Sequence, residues 1–172
     1  MTAPFLIEVL SPGHTRTEFS SGVEALDRYF REQVTQDVRR RATACYVALD
    51  AATGGVAGYY TLAAGSIVLA DLPAQLAKKL PRYPSVPVAR LGRLAVDQAY
   101  RGRHLGGALL WDAATRAVRS EIAVYALVVD AKDDLAVRFY QHHGFVTFGS
   151  LPRQLVLPLA TLTLPNRAEV PP

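Results

Sequence analysis

The chain has 172 residues, 50% of them hydrophobic, with 19 Lys+Arg against 15 Asp+Glu for a formal net charge of +4. That length fits one domain able to withdraw roughly 70% of its unfolded surface from water. No run of eighteen apolar residues occurs, which excludes a helical membrane span, and the lone Cys45 excludes an internal disulfide or a cysteine metal cluster.

Phe5 to Leu10 is predicted as a first strand, closed by the Ser11-Pro12-Gly13 turn. Ser20-Ser21-Gly22 precedes a helical pattern in which Val23, Leu26, Tyr29, Phe30 and Val34 recur at three- and four-residue spacing, continuing toward Arg41. Thr43 to Leu49 and Val56 to Ala64 are predicted as a hairpin. Leu69 to Pro87 is irregular, with a short helix around Ala74 to Leu80 and the prolines Pro73, Pro81, Pro84 and Pro87. A strand from Val88 to Val96, a helix from Leu105 to Arg119 and a strand from Val124 to Val129 follow. Then come a helix from Asp133 to His143, a short strand at Phe145 to Phe148 and a last strand from Gln154 to Leu164, with a frayed tail. Strands and helices alternate unevenly, which predicts a mixed α/β layer arrangement.

The N-terminus lacks a charged region followed by an apolar stretch and cleavage site, so no export signal is expected and the chain reads as cytosolic. His14, His104, His142 and His143 lack metal-ligand spacing, and no metal is expected. Arginine supplies most of the cations, clustered at Arg39-Arg40-Arg41, at Lys78-Lys79 with Arg82, at Arg90 with Arg93, and at Arg101 with Arg103. Its planar fork suits phosphate oxygens better than the point charge of lysine.

The segment from Tyr100 to Leu110 carries the main chemical signal. The first turn of a helix has amides without intrahelical partners and a partial positive charge, so an anion sits there naturally. Gly102, Gly106 and Gly107 let a diphosphate approach the backbone, Arg101 and Arg103 add charge, and Leu105, Ala108, Leu109, Ala113 and Ala117 form a stripe that anchors the helix. Neither a Walker A loop nor a dinucleotide GxGxxG is present.

Leu94-Ala95-Val96 followed by Arg101-Gly102-Arg103-His104-Leu105-Gly106 resembles motif A of the GNAT N-acetyltransferases, Q/R-x-x-G-x-G/A, with His104 in place of the middle glycine. Asp130 to Phe145, with Phe139-Tyr140 before Gly144-Phe145, resembles motif B. Phe19-Ser20-Ser21-Gly22 with Leu26-Asp27-Arg28-Tyr29-Phe30, and the segment from Arg90 to Val96, are similar to the acetyltransferase toxins of toxin–antitoxin pairs.

The resemblance implies a GNAT-like mixed α/β (α+β) fold, with one central, mostly antiparallel mixed sheet flanked by helices. It implies a single N-acetyltransferase domain over residues 1–164 and a tail over 165–172. It assigns acetyl-CoA binding to Leu94, Ala95, Val96, Arg101, Gly102, Arg103, His104, Leu105, Gly106, Gly107, Asp130 and Phe139. Tyr140 becomes the general acid for the coenzyme A sulfur, a phenol still protonated near neutral pH. Aminoacyl-tRNA is the implied acceptor, a ribbon-helix-helix antitoxin the implied partner, and a homodimer the implied assembly.

Phe139 and Tyr140 are adjacent on a helix, so one packs inward while the other reaches the cleft, a role assigned to Tyr140. No carboxylate precedes Asp97 on the strand that holds Arg90 and Arg93. Without an evident base, an α-amine with a pKa of about 7.7–8.0 is a better acceptor than a lysine at about 10.4. Arg90, Arg93, Lys78, Lys79 and Arg82 are the candidate tRNA contacts, of which only one of Arg90 and Arg93 faces any one cleft. Tyr83, amid Lys78, Lys79 and Arg82, is either a base-stacking ring or an ordinary loop tyrosine. Two other readings stay open: acetylation of a small-molecule amine or protein N-terminus, and a non-catalytic acetyl-CoA-binding or partner-binding module.

Overall fold

The computed structural model describes residues 4–162. Its seven strands follow the order β1-β2-β3-β4-β5-β7-β6 in one sheet. They are β1 (Phe5–Val9), β2 (Ala44–Asp50), β3 (Val56–Val68), β4 (Ser85–Val96), β5 (Ala126–Asp130), β6 (Val146–Thr147) and β7 (Gln154–Pro158). The β1–β2, β2–β3, β5–β7 and β6–β7 pairings are all antiparallel. The helices are α1 (Glu24–Arg28), α2 (Val34–Arg39), α3 (Ala74–Ala77), α4 (Leu105–Arg119) and α5 (Asp134–His142). The described residues form two compact units, the first of residues 4–65 with Arg90–Ala113 and the second of Ser66–Ala89 with residues 114–162.

In the first unit the two-residue period of β2 and β3 sends alternate side chains to opposite faces. Cys45, Val47 and Tyr59 share a core with Phe19, Tyr29, Phe30 and Val34. Tyr59 stacks on Phe30 with ring centres 4.2 Å apart, and Phe19 meets both rings edge-on. The Tyr59 hydroxyl donates to the Leu26 carbonyl at 2.8 Å, so a wholly buried phenol keeps its hydrogen bond. Tyr60, on the other face, donates to Asp112 on α4.

The predicted helix from Val23 to Arg41 is not continuous α-helix. Between α1 and α2 the residues Tyr29–Gln33 form a π-helical turn, in which the Val34 N–H reaches the Tyr29 carbonyl. That displacement leaves the Phe30 carbonyl for the Arg16 guanidinium, whose other arm donates to Thr35 Oγ1 at 2.9 Å. A widened turn of this kind has no signature in hydrophobic spacing.

The second unit has its own core, in which Ile67, Leu72, Val86, Val88, Ala126, Val128, Phe148 and Val156 are buried together. The irregular stretch from Leu69 is shorter than predicted because β4 begins at Ser85, and β3 runs past the predicted Ala64 to Val68. Pro87 therefore lies within a strand, where its carbonyl accepts from the Tyr125 N–H at 2.9 Å. Strand β7 stops at Pro158 and a 3-10 turn, Leu159–Thr161, follows it. The remainder of the predicted last strand and the predicted tail lie outside the described residues.

The anchoring stripe of α4 also shifts. Leu105, Leu109, Leu110, Ala113, Ala114 and Ala117 are buried, whereas Ala108 is exposed. The helix seats closely because Gly58 of β3 has no side chain. A Cβ there would come within 2.9 Å of the Ala95 carbonyl oxygen and 3.0 Å of Leu109 Cδ1. Backbone cannot yield as a flexible side chain can, so Gly58→Ala is expected to destabilise the protein by about 1–3 kcal/mol in denaturant titration. An unchanged midpoint would show that the approach of α4 to β3 is looser than described.

Candidate active site

The loop between β4 and α4 is built from polar contacts that begin as the strand ends. Asp97 Oδ1 accepts from the Ala99 N–H at 2.9 Å and caps the 3-10 turn Gln98–Tyr100. Its other oxygen accepts from the Ser20 N–H at 2.9 Å, and the Gln98 N–H donates to the Ser20 carbonyl at 2.9 Å. Arg101 then donates to the Ser21 carbonyl at 2.7 Å. Ser21 is itself held by buried Asp27, whose Oδ1 accepts from the Ser21 N–H at 2.9 Å and from its hydroxyl at 2.6 Å.

The Ser20–Gly22 segment that reads as a helix start is thus also the clamp of the anion loop. Gly22 is needed at the joint: it has φ +88°, and a Cβ there would lie 2.4 Å from Gln98 Nε2 and 3.0 Å from an Arg101 guanidinium nitrogen. The clamp was not legible from sequence, because a backbone carbonyl acting as acceptor leaves no residue signature.

Beyond the clamp the chain passes through two left-handed residues, Gly102 at φ +77° and His104 at φ +60°. A glycine is expected at the second because L-residues pay about 1–2 kcal/mol for that conformation. His104 therefore keeps the backbone path that the missing glycine would supply. The first helical hydrogen bond of α4 runs from the Ala108 N–H to the His104 carbonyl at 3.2 Å. The amides of Leu105, Gly106 and Gly107 have no acceptor among the described residues, so three N–H groups and the positive end of a fifteen-residue helix stay available to an anion. Arg103 lies over the Tyr100 ring at 5.3 Å, and the Tyr100 hydroxyl donates to Asp50 at 2.9 Å. Leu94 and Val96 are half-buried and Ala95 is buried in the core of the first unit.

In the second unit, Asp133 caps α5 by accepting from the Ala136 N–H at 2.8 Å. Gly144, at φ +93°, ends the helix while the Phe145 N–H returns to the Tyr140 carbonyl at 3.1 Å. Of the adjacent pair, Tyr140 is the more buried and Phe139 the less, the reverse of a phenol that simply reaches outward. The Tyr140 ring meets Phe145 and Phe139 edge-on at 5.3 and 5.2 Å, and burial pushes its phenol up to about 12. Its hydroxyl has no hydrogen-bond partner among the described residues. It is not sealed off either, because the only sealed and unpartnered side-chain oxygen among them is Thr115 Oγ1. Phe139 packs on the His143 ring at 4.6 Å, and Asp130 is exposed at the end of β5.

The two strand arginines differ as their odd spacing requires. Arg93 shares a face with Leu91 and Ala95 and sets its guanidinium 3.4 Å from the centre of the Tyr29 ring, whose hydroxyl donates to Asp37 at 2.8 Å. Arg93, one of the candidate tRNA contacts, is thus engaged with a ring of the π-helical turn. Arg90 is half-buried, and Lys78, Lys79 and Arg82 are exposed.

Residues 7–145 match the Acetyltransferase (GNAT) family. The chain belongs to that family. This acetyltransferase is 38% identical over 143 residues to a tRNA-acetylating toxin of Mycobacterium tuberculosis, covering 82% of this chain and 84% of the relative. It is 29% identical over 167 residues to a probable toxin TacT of Sinorhizobium fredii, covering 91% and 92%. Among solved structures, AtaT complexed with acetyl-methionyl-tRNAfMet superposes with a TM-score of 0.83 at 26% identity, covering 91% of this chain and 96% of that one. AtaTR bound with AcCoA gives 0.76 at 26% identity, covering 92% and 95%. A mutant AtaT toxin bound to the C-terminus of the antitoxin AtaR gives 0.76 at 23%, covering 92% and 96%, and supports the fold alone. The GNAT-like fold expected from the motifs is therefore the fold of this acetyltransferase.

If the backbone of the loop rather than the imidazole holds the donor, His104→Gly should keep acetyl-CoA affinity within about threefold in calorimetric titration, since the glycine adopts the same left-handed φ without strain. A loss of tenfold or more would make the imidazole itself a ligand contact.

Proposed function

We propose that this acetyltransferase is a toxin that transfers the acetyl group of acetyl-CoA to the α-amino group of aminoacyl-tRNA and so blocks translation. The likeness to the tRNA-acetylating toxin of Mycobacterium tuberculosis carries the reading. The solved complex of AtaT with acetyl-methionyl-tRNAfMet supports it.

In this reading the unpartnered amides of Leu105, Gly106 and Gly107 hold the diphosphate of acetyl-CoA, with Gly102, Arg103 and His104 shaping the approach. Leu94, Ala95 and Val96, with Asp130 and Phe139, complete the donor's contacts. Arg101 contributes as the clamp on Ser21 and adds its charge to the loop. The neutral amine attacks the thioester carbonyl, forming the C–N bond. The C–S bond then breaks, the departing thiolate takes a proton from Tyr140, and the amine's surplus proton passes to solvent, which returns one to the Tyr140 phenolate.

Burial keeps the Tyr140 phenol protonated, and it also makes that phenol a weaker acid than a free tyrosine. Its work therefore starts as hydrogen-bond donation to sulfur while charge develops, with transfer following. Asp97, the carboxylate nearest the strand, is occupied on both oxygens by the Ser20 and Ala99 amides, so it serves the loop rather than the acceptor. An α-amine near pKa 8 needs no dedicated base. The same reading gives the protein a ribbon-helix-helix antitoxin as partner, a homodimeric working form and a cytoplasmic site of action.

Tyr140→Phe is expected to slow acetylation of charged tRNA by about 10²–10⁴-fold while leaving the acetyl-CoA dissociation constant nearly unchanged. The wild-type rate should rise through pH 8 as the amine loses its proton and stay level to about pH 10, because Tyr140 titrates only near 12. Full activity in the phenylalanine variant would remove Tyr140 from the chemistry. Acetylation of free amines or protein N-termini with no product on charged tRNA would replace the toxin reading.

A further inference from the structure

The second unit contains a groove of about 370 Å³ that none of the chemistry above uses. Its walls are almost entirely apolar, formed by Leu80, Pro81, Val86, Pro87 and the rings of Tyr83 and Tyr125. Tyr125 is fixed by its backbone, which donates to the Pro87 carbonyl at 2.9 Å and accepts from the Leu159 N–H at 3.0 Å. Tyr83 is 70% exposed and has no hydrogen bond or ring partner among the described residues. An exposed aromatic face beside an apolar recess offers a surface on which a flat ring can stack.

The rim adds a second property. Lys78, Lys79 and Arg82 are all exposed, and none forms an ion pair among the described residues. Lys79 and Arg82 flank the lining Leu80 and Pro81 in the chain, Arg82 adjoins the lining Tyr83, and Lys78 precedes Lys79, so three uncompensated cations are interleaved in sequence with one wall of the groove. An apolar peptide side chain would fill the groove and leave the cations idle. A nucleotide uses both, because its base offers a flat face to the ring and its phosphates meet the cations.

We infer that this groove takes an unpaired base of the RNA acceptor, stacked on Tyr83, with the neighbouring phosphates on Lys78, Lys79 and Arg82. The inference rests on the reading of aminoacyl-tRNA as the substrate.

The full-length protein should be titrated with a short single-stranded oligoribonucleotide and with an abasic oligonucleotide of equal length and charge, using fluorescence anisotropy. The base-bearing strand should bind at least about fivefold more tightly. Tyr83→Ala should erase that preference, and Tyr83→Phe should keep it. Lys78→Gln combined with Lys79→Gln should weaken both strands and flatten the salt dependence. Thermal melting of the exposed Tyr83 variants checks that they fold.

Equal affinity for both strands, or a base preference that survives Tyr83→Ala, would overturn the inference. So would competition for the groove by an acidic peptide and not by RNA. Acetylation of charged tRNA, measured alongside, separates the two levels. A wild type active on charged tRNA but without a Tyr83-dependent base preference defeats the groove alone. A wild type that never acetylates charged tRNA defeats the functional reading, while the oligonucleotide comparison still decides the groove.

Discussion

The anion loop depends on a clamp that is distant in sequence. Asp97 and Arg101 close on the backbone of Ser20 and Ser21, and buried Asp27 holds Ser21 from behind. A glycine-bearing loop on its own would sample many conformations, and ordering it at the moment of binding would cost affinity. The clamp spends that cost during folding. It also explains why a carboxylate is tolerated in the interior: Asp27 accepts two hydrogen bonds from one serine, so its buried charge is compensated.

The clamp in turn rests on aromatic packing. Tyr59 stacks on Phe30 and donates to the Leu26 carbonyl, which fixes the helical segment that carries Asp27. The π-helical turn gives the Phe30 carbonyl to Arg16, and the guanidinium of Arg93 lies on the Tyr29 ring. Several arginines of this basic chain are thus structural, and net charge alone overstates how many face a polyanion. The distinction matters at Lys78, Lys79 and Arg82, which have no internal counter-charge among the described residues.

Much of this was legible in the sequence, for identifiable reasons. Helix α4 spans Leu105–Arg119 as predicted because a glycine-rich start and a sustained apolar stripe mark both ends. Asp133 and Gly144 bracket α5 by the capping chemistry those residue types provide. What stayed hidden involves backbone groups or local geometry without residue preference. The π-helical turn, the extension of β4 through Pro87 and the carbonyl-centred clamp belong to that class. The stripe of α4 was misread at Ala108 because alanine fits either face, and only Gly58 opposite reveals which side is close. Tyr140 was identified by motif, whereas its burial follows from Phe145 folding back behind Gly144.

The joint reading of loop, phenol and relatives comes down to where the acetyl group arrives. Purified protein incubated with acetyl-CoA and total charged tRNA, followed by nuclease digestion and mass spectrometry of the terminal aminoacyl-adenosines, reads that position directly. An added acetyl group on the α-nitrogen of one or more aminoacyl-adenosines is expected. Unmodified aminoacyl-adenosines, with acetyl-CoA consumed on other amines or not at all, would contradict it.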